Sequence, residues 1–525
     1  MLRRFSTFAL PLAAMLLLTA CAGGAPAGKV LRVGLQDEFK TLDPAIGYDV
    51  PSWGAEHLIY NGLVTYDFES QVVPDLAESW QVEGDGKAFV FKLREGLKFH
   101  DGRPVTAKDV VYSFDRLLDP ATKSPGAGFY ADIVGATERL SGEAKALKGV
   151  TAPDDKTVRI ELKAPNPIFL QLIAMPFASV VPSGMTGTEL ARKPVGTGPF
   201  SLASWSSGQK IAFKKNPDYF NAQGPQLDGV EYQLGVNESL EVLKFERGEL
   251  DLLGANRNIP AADFSRLKDD PKLKDRMLSG ADAAFHYVGM NCQVAPFDKP
   301  QVRQAVAHAI DKARIVQLVN GRGQVAKGIL PPTMPGFDAN LAGIPHDPAR
   351  AKALLAEAGL PDGFAATYYC VSNDTARKVA QSIQQDLGKV GIKLELKPLA
   401  FPTFLEAKAT KGRVGIASGN WTQDFPDPSN FLTTMFHSKN IKETNSLNDS
   451  YYRNPKVDTL LDQAGRQTDA AKRADFFRQA EAIIVSDAPV VPLYYPVKYQ
   501  LHTERVKGYK LHPVWAMDLT GVSIQ

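Results

Sequence analysis

The segment from residue 366 to residue 421 constrains the fold most, because strand-like and helix-like patterns alternate along it. In order it reads strand (366–372), helix (373–391), strand (392–399), helix (402–409) and strand (413–420). A βαβαβ order of this kind predicts a parallel sheet with right-handed crossovers. The sequence therefore predicts an α/β protein, and a chain of 525 residues predicts several domains around a large buried core.

The stretch GNWTQDFPDPSNF, residues 419–431, begins where the last of these strands ends. Its two prolines exclude a helix interior and stiffen the loop. Ligands of open α/β sheets bind beyond the carboxyl ends of the strands. Position alone therefore nominates Trp421 and Asp424 as cleft residues, the first as an apolar wall with an N–H donor and the second as a charged acceptor.

The rest of the chain predicts further elements. Residues 29–35 alternate as a strand, and a short helix is expected from Glu56. Residues 61–180 have the pattern of a compact insertion with its own sheet, including a capped helix at 106–118. The strand-rich tail at 490–503 is expected to return to the sheet that residues 29–35 begin.

The first twenty residues have the character of an export signal. A basic start and a short apolar run end in Leu-Thr-Ala-Cys at 18–21, and the run is too short for a comfortable membrane span. Because Leu-Thr-Ala-Cys resembles the bacterial lipobox, we expect removal of residues 1–20, acylation of Cys21 and a flexible tether at 21–28. This predicts lipid anchoring to a bacterial membrane outside the cytoplasm. A plain secretory signal that contains a cysteine by chance is the alternative.

Charge and motifs exclude several function classes. The 60 basic and 58 acidic residues form no block of one sign, which argues against nucleic acid as a partner. The eight histidines form no close ligand pair, and no phosphate loop or nucleophile elbow occurs, so no metal, cofactor or catalytic residue is expected. Cys292 and Cys370 either pair or are two small buried residues.

Several blocks together resemble one family. They are PDLAESW at 74–80, FKLREGLKFHDGRPVTAKDVVYSF at 91–114, GTGPF at 196–200, VRQAVAHAIDK at 302–312 and WTQDFPDPSNFL at 421–432. Their order and spacing resemble the peptide- and nickel-binding family of bacterial extracellular solute-binding proteins, which are lipid-anchored or periplasmic receptors of ABC importers. The resemblance covers essentially the whole chain after the signal.

The resemblance implies a periplasmic-binding-protein-like clamshell of type II, cluster C, with an extra inserted domain. The implied limits are domain I at 29–60, 181–284 and 488–525, domain II at 61–180, and domain III at 285–487. The resemblance implies a monomer that encloses a small solute, in the first place a di- or oligopeptide, between domains I and III. It then delivers the solute unchanged to the membrane permease of the importer, without acting as an enzyme.

The resemblance also implies ligand-binding residues. In peptide-binding relatives, an aspartate in a WxxD segment pairs with the α-ammonium group of the ligand, and Asp424 and Trp421 match that segment. Asn291 is a candidate donor to ligand backbone, and Asn420 and Phe425 complete the candidate set. Residues 47–53 are expected to form a loop that faces the cleft.

One departure leaves alternatives open. Oligopeptide binders can carry arginine shortly before the motif where this chain has Ser418, although Lys408 or Arg413 lies close enough in sequence to substitute. A sugar, a metal chelate or another solute is therefore an alternative ligand. A different class of function is a lipid-anchored hydrolase that uses Asp424 and Asp427 as paired carboxylates.

Overall fold

The computed structural model describes residues 28–256 and 258–525. The predicted export signal, the acylation site Cys21 and nearly all of the predicted tether lie outside the described residues. Within those residues, no helix combines the length and the apolar character needed to cross a bilayer.

The strands of the described residues are numbered in chain order. They are β1 (Val30–Leu35), β2 (Val64–Tyr66), β3 (Val72–Pro74), β4 (Ala77–Glu83), β5 (Ala88–Leu93), β6 (Val150–Thr151), β7 (Thr157–Glu161), β8 (Phe200–Ser206), β9 (Lys210–Lys215), β10 (Gly229–Leu234), β11 (Leu252–Leu253), β12 (Met277–Ala281), β13 (Ala284–Met290), β14 (Gly323–Val325), β15 (Phe364–Val371), β16 (Ile392–Leu399), β17 (Ile416–Thr422), β18 (Val490–His502), β19 (Val506–Lys507) and β20 (Ser523–Ile524).

The α-helices are numbered in the same way. They are α1 (Val50–Ile59), α2 (Ala107–Leu117), α3 (Ala136–Leu140), α4 (Phe169–Ile173), α5 (Gly187–Arg192), α6 (Glu238–Glu246), α7 (Ala261–Asp269), α8 (Pro300–Ala309), α9 (Lys312–Leu318), α10 (Pro348–Glu357), α11 (Asp374–Gly388), α12 (Phe401–Lys408), α13 (Pro428–Phe436), α14 (Pro455–Arg466) and α15 (Ala470–Asp487).

The first sheet has the strand order β1-β10-β9-β8, in which β1 and β10 are parallel. The predicted strand at 29–35 is confirmed. The helix expected from Glu56 begins earlier, at Val50, because the Asp49 side chain accepts a hydrogen bond from the Ser52 N–H at 2.9 Å and caps the first turn. Residues 50–53 therefore form the first turn of a helix, and only residues 47–49 of the expected loop precede it.

The region predicted as an insertion carries an antiparallel sheet of its own, in the order β4-β5-β7-β6. Helix α2 packs on it and begins with the predicted capping box between Thr106 and Asp109. A large apolar core joins this sheet to α4 and to the loop before residue 180. Two side chains from distant parts of the chain, Phe425 and Trp515, enter the same core.

The third sheet contains the predicted βαβαβ unit. Its main path runs β11-β18-β13-β17-β15-β16, and β15 is parallel to both β16 and β17. Helices α11 and α12 make the two crossovers, and the Asn373 side chain caps α11 by accepting from the Ala376 N–H at 2.8 Å. The α/β fold class expected for this segment is confirmed.

The expected pairing of the tail was wrong. β18 does not join the β1 sheet; it pairs antiparallel with β13, β14, β12 and β11. β1 is the edge strand of its sheet, and Asp251 lies beside it. The Asp251 N–H donates to the Arg32 carbonyl, and the Asp251 carbonyl accepts from the Thr503 N–H. The Asp251 carboxylate also forms an ion pair with Arg32 at 2.9 Å. Asp251, which is buried and paired with Arg32, thus bridges β1 and the end of the tail at Thr503.

The two cysteines of the described residues do not form the disulfide that was one of the two alternatives. Both Cys292 and Cys370 are free thiols, and Cys370 lies buried on β15. Burial raises the pKa of the Cys292 thiol to about 11, which keeps it protonated near neutral pH.

A candidate ligand-binding cleft

A cavity of about 580 Å³ lies where the start of α1, the end of β12 and the loop after β17 converge. This volume falls in the range of small-molecule binding sites. Its walls also include residues 511–516 and one residue of β18. The side chains that matter for the chemistry below are Tyr48, Trp53, Asp282, Asp424, Lys498 and His512.

Asp424 lines this cavity directly after β17 and is held from two sides. On its own side, Asn430 of α13 donates from Nδ2 to Asp424 Oδ2 at 2.9 Å and accepts from the Asp424 N–H at 2.9 Å. From the start of α1, the Tyr48 hydroxyl donates to Asp424 Oδ1 at 2.9 Å. Because Asn430 is fully buried, the position of the carboxylate is fixed by the packed core behind it.

The electrostatics of Asp424 suit a cationic ligand group. Burial raises the pKa of Asp424, and the hydrogen bonds from Asn430 and Tyr48 partly offset that rise. A carboxylate has about four acceptor positions, so two donors leave room for an ammonium group. Such a group would favour the ionised form and lower the pKa again.

Trp421 lies behind the cleft wall and does not line the cavity. It stands on β17 opposite Phe285 of β13 and packs against the core on that side of the sheet. Its Nε1–H donates to Asn430 Oδ1 at 3.2 Å, the same oxygen that accepts from the Asp424 N–H. The indole therefore acts on the Asp424 carboxylate only indirectly, by orienting Asn430.

The other three candidates are placed apart from the cavity. Asn420 is exposed on β17, and Phe425 is buried, where its ring meets Phe129 edge-on with 6.1 Å between ring centroids. Asn291 comes directly after β13, at the end of that strand that is remote from the cavity. The first residue of β13, Ala284, lies opposite Thr422, which lines the cavity, whereas its last residue lies opposite Ile416 at the other end of β17. The structure thus brings only Asp424 of the five candidates to the cavity wall.

The segment at 47–53 faces the cleft as predicted. Tyr48, Asp49, Val50 and Trp53 line the cavity, and the Trp53 Nε1–H donates to the Gly47 carbonyl at 2.9 Å. That bond fixes the indole against the loop. Trp53 therefore contributes aromatic surface to the cavity wall, and Trp421 does not.

Asp427 is occupied by structure. Its side chain caps α13 by accepting from the Ser429 N–H at 2.9 Å, and Arg473 of α15 donates to both of its oxygens at 2.6 and 2.7 Å. Asp427 is buried and does not line the cavity. The two carboxylates of the motif therefore do not converge on one substrate position, which the hydrolase alternative requires.

The two cations proposed as substitutes for a missing arginine are also engaged elsewhere. Lys408 forms an ion pair with Asp449 at 2.7 Å and donates to the Tyr287 hydroxyl at 2.9 Å. Arg413 pairs with Glu406 at 2.9 Å on the surface. Neither residue lines the cavity.

A second group of cavity residues was not predicted from the sequence: Asp282, Lys498 and the segment at 511–516. The Nδ1 atom of His512 accepts from the N–H groups of Val514 and Trp515, and burial lowers the pKa of His512 to about 4, so its ring is neutral. Gln423 donates from Nε2 to the Pro513 carbonyl at 2.9 Å and ties the segment to the β17 loop. No local pattern marks these residues as cleft residues.

A second cavity, of about 480 Å³, adjoins the first and shares Phe68 and His512 with it. Several of its charged groups already have partners: Asp75 accepts from Asn61 at 2.9 Å, and Asp518 lies 3.2 Å from His57 Nε2. The larger cavity, with Asp424 on its wall, is therefore the candidate site.

Comparison with known proteins places this geometry in a family. A sequence profile described as "Bacterial extracellular solute-binding proteins, family 5 Middle" matches residues 71–443. The chain is 32% identical over 509 residues to heme-binding protein A of Haemophilus influenzae, covering 92% of this chain and 90% of that protein. It is 31% identical over 492 residues to the dipeptide-binding protein of Escherichia coli K12, covering 89% of each.

A solved structure agrees with the fold. The periplasmic binding protein DppA of Helicobacter pylori, in complex with the peptide STSA, superposes with a TM-score of 0.80 at 30% identity, covering 94% of this chain and 98% of that one. The periplasmic-binding-protein fold of the peptide-binding type, expected from the sequence, is thereby confirmed. The chain belongs to the bacterial extracellular solute-binding proteins of family 5.

Proposed function

We propose that this protein is the substrate-binding receptor of an ABC importer and that its ligand is a short peptide held by its α-ammonium group at Asp424. One observation carries the proposal: a half-buried carboxylate, Asp424, fixed by Asn430 and Tyr48, lines a cavity of about 580 Å³. The relatives named for dipeptide binding and the neighbour solved with a peptide support this class of ligand.

The chemistry of peptides explains why one carboxylate suffices. Peptides of any sequence share an ammonium group and a backbone, whereas their side chains differ. A receptor for many peptides fixes the shared groups with polar contacts and leaves roomy pockets for the rest. A charge-assisted hydrogen bond to Asp424 sets the register of the ligand, although the desolvation of both ions limits what the pair adds to affinity.

The contacts around Asp424 support capture by closure of two lobes. Tyr48 and Asp424 are 376 residues apart in sequence, and they belong to the lobes proposed as domain I (29–60, 181–284 and 488–525) and domain III (285–487). Gln423 makes a second contact of this kind, to Pro513. A ligand that bridges the same two walls would stabilise the closed form, and that form would dock on the permease.

The remaining parts of the proposal concern location and chemistry. The inserted domain II (61–180) carries its own sheet, and its core also receives Phe425 from the lobe opposite domain I. The receptor works as a monomer on the outer side of a bacterial membrane, held by lipid on Cys21. It releases its ligand chemically unchanged, since Asp427 is engaged by Arg473 and does not join Asp424.

The test compares two forms of the same peptides. Wild type and Asp424→Asn are each offered mixed-sequence tripeptides with free or N-acetylated amino termini, and the bound fraction is read by native mass spectrometry. A hydrogen bond to a charged group contributes roughly 1.5–3 kcal/mol, so the variant should bind free-amine peptides about 10- to 100-fold more weakly. Binding of the acetylated forms should change little.

Two outcomes would overturn the proposal. Equal weakening of both peptide forms would remove Asp424 from the role of ammonium partner. Failure of wild type to retain any peptide would exclude this ligand class, and hydrolysis of the peptides would favour an enzyme.

A further inference from the structure

Lys498 places an ammonium group on the cleft wall, and this residue lies outside the sequence motif that contains Asp424. It lies on β18 directly opposite Gly280 of β12. Opposed residues of an antiparallel pair project from the same face of a sheet, and a glycine leaves that face open. A Cβ atom added at Gly280 would meet only Leu511 Cδ1, at 3.4 Å, so the lysine chain has space to extend over it.

The backbone on both sides of Lys498 is clamped by one side chain. Asn258 donates from Nδ2 to the Val497 carbonyl at 2.7 Å and accepts the Tyr499 N–H at its Oδ1 at 3.1 Å. The residue is therefore held in register on a strand, and little of its backbone freedom remains to be lost when a ligand binds.

The ammonium group lacks a close partner. Across residues 28–256 and 258–525, no carboxylate oxygen lies within ion-pair distance of Lys498 Nζ. Burial lowers the pKa of Lys498, and the charge of Asp282, another cavity residue, partly offsets that effect. A charge in such a site costs free energy until an opposite charge joins it, so the cleft is arranged to receive an anionic group beside Lys498.

The sheet sets the spacing between this group and Asp424. β12 and β13 form a nearly continuous run, with β18 on one side and β17 on the other: Ala281 lies opposite Val497, and Ala284 lies opposite Thr422. Two strands that flank a shared neighbour are about 10 Å apart. An extended chain advances about 3.3 Å per residue, so a peptide of two or three residues covers roughly 7–10 Å, which matches the spacing between these strands once the reach of the lysine side chain is included.

We propose that Lys498 holds the free carboxylate of the ligand, so that the cleft selects zwitterionic di- and tripeptides by both ends. The inference rests on the proposed peptide-binding function and deepens it. It places the carboxylate-binding cation on the C-terminal strand β18, away from the motif that contains Asp424.

The experiment uses the full-length protein and mixed-sequence tripeptides with free amino termini, as C-terminal acids or C-terminal amides. Bound fractions are measured by native mass spectrometry for wild type, Lys498→Met and Lys498→Arg. Lys393→Met, which removes the same charge from an exposed position on β16, is the control. We expect wild type to prefer the acids at least tenfold, Lys498→Met to lose that preference, and Lys498→Arg and the control to keep it.

The outcomes separate the two proposals. If wild type binds acids and amides equally, or if Lys498→Met weakens both equally at an unchanged melting temperature, Lys498 is not the carboxylate partner, while the Asp424 result still stands. If the preference survives in Lys498→Met, another group binds the carboxylate and the inference is wrong. If wild type retains no peptide of either form, both proposals fail.

Discussion

Replacing Asp427 with asparagine separates structure from ligand binding within one motif. Asparagine keeps the helix-capping oxygen for α13 and nearly the same shape, but it removes the charge that Arg473 contacts at 2.6 and 2.7 Å. The change should destabilise the fold and leave ligand binding intact, because Asp427 does not line the cavity. Asp424→Asn should do the opposite.

The size of the effect follows from the burial of the pair. Side-chain exposure is 13% for Arg473 and 3% for Asp427, so removing one partner leaves a largely buried charge, at a cost of roughly 3–5 kcal/mol. Arg473 keeps a hydrogen bond to the Ala464 carbonyl at 3.2 Å and contact with the Phe477 ring, which favours the lower value. With an unfolding entropy of about 2.1 cal/mol/K per residue, about 3 kcal/mol lowers the melting temperature by roughly 7 °C if a lobe of about 200 residues unfolds alone.

Differential scanning calorimetry and native mass spectrometry with free-amine tripeptides measure the two properties. If the whole chain unfolds together, the same penalty spreads over more residues and the shift is about 3 °C. Binding by Asp427→Asn should stay within about threefold of wild type. A variant that melts like wild type yet no longer retains peptide would refute the reasoning, since Asp427 would then contact the ligand.

Two further predictions address other parts of the structure. Glu481 accepts from the N–H groups of Ile329 and Leu330 at 2.6 and 2.8 Å, and burial raises its pKa to about 7. The contribution of its protonation to stability is therefore fully present below about pH 4.5, the unfolded pKa, and is lost as the pH rises through 7. The melting temperature of Glu481→Gln should therefore gain on wild type between pH 4.5 and 8, and a pH-independent difference would contradict this. Trp421→Phe removes one hydrogen bond to Asn430 and should cost about 1 kcal/mol of stability with less than tenfold loss of peptide binding. A hundredfold loss at an unchanged melting temperature would instead place the indole on the ligand.

Local chemistry explains which elements sequence analysis predicted correctly. The helices at 107–117 and 374–388 begin at side-chain caps that the sequence displays within a few residues, Thr106 with Asp109 and Asn373. The alternation of β15, β16 and β17 with two helices fixes a parallel unit with little choice of topology. The start of α1 was missed, although Asp49 and Pro51 form the same kind of signal.

The pairing of β18 shows where such reasoning stops. Its 13 residues are rich in valine, tyrosine and leucine, which predicts a strand, and its first six residues are all buried, so neither face is marked as the solvent side. Such a composition contains no information about the partner strand, and pairing with β11, β12, β13 or the β1 sheet is equally compatible with it. The choice depends on Asp251, which fills the position beside β1 and pairs with Arg32 of β1, more than 200 residues away in sequence.

For the same reason, the motif around Asp424 could nominate only part of the site. A receptor that closes around its ligand must take contacts from both lobes, and the lobes are built from segments that are distant in sequence. Lys498 lines the same cavity as Asp424 because β12 continues into β13 between β17 and β18, whereas Tyr48 comes from the start of α1 and the 511–516 segment follows β18. A local motif can therefore identify the residue that fixes one end of a ligand, whereas the groups that set its length and its other charge depend on the pairing of strands.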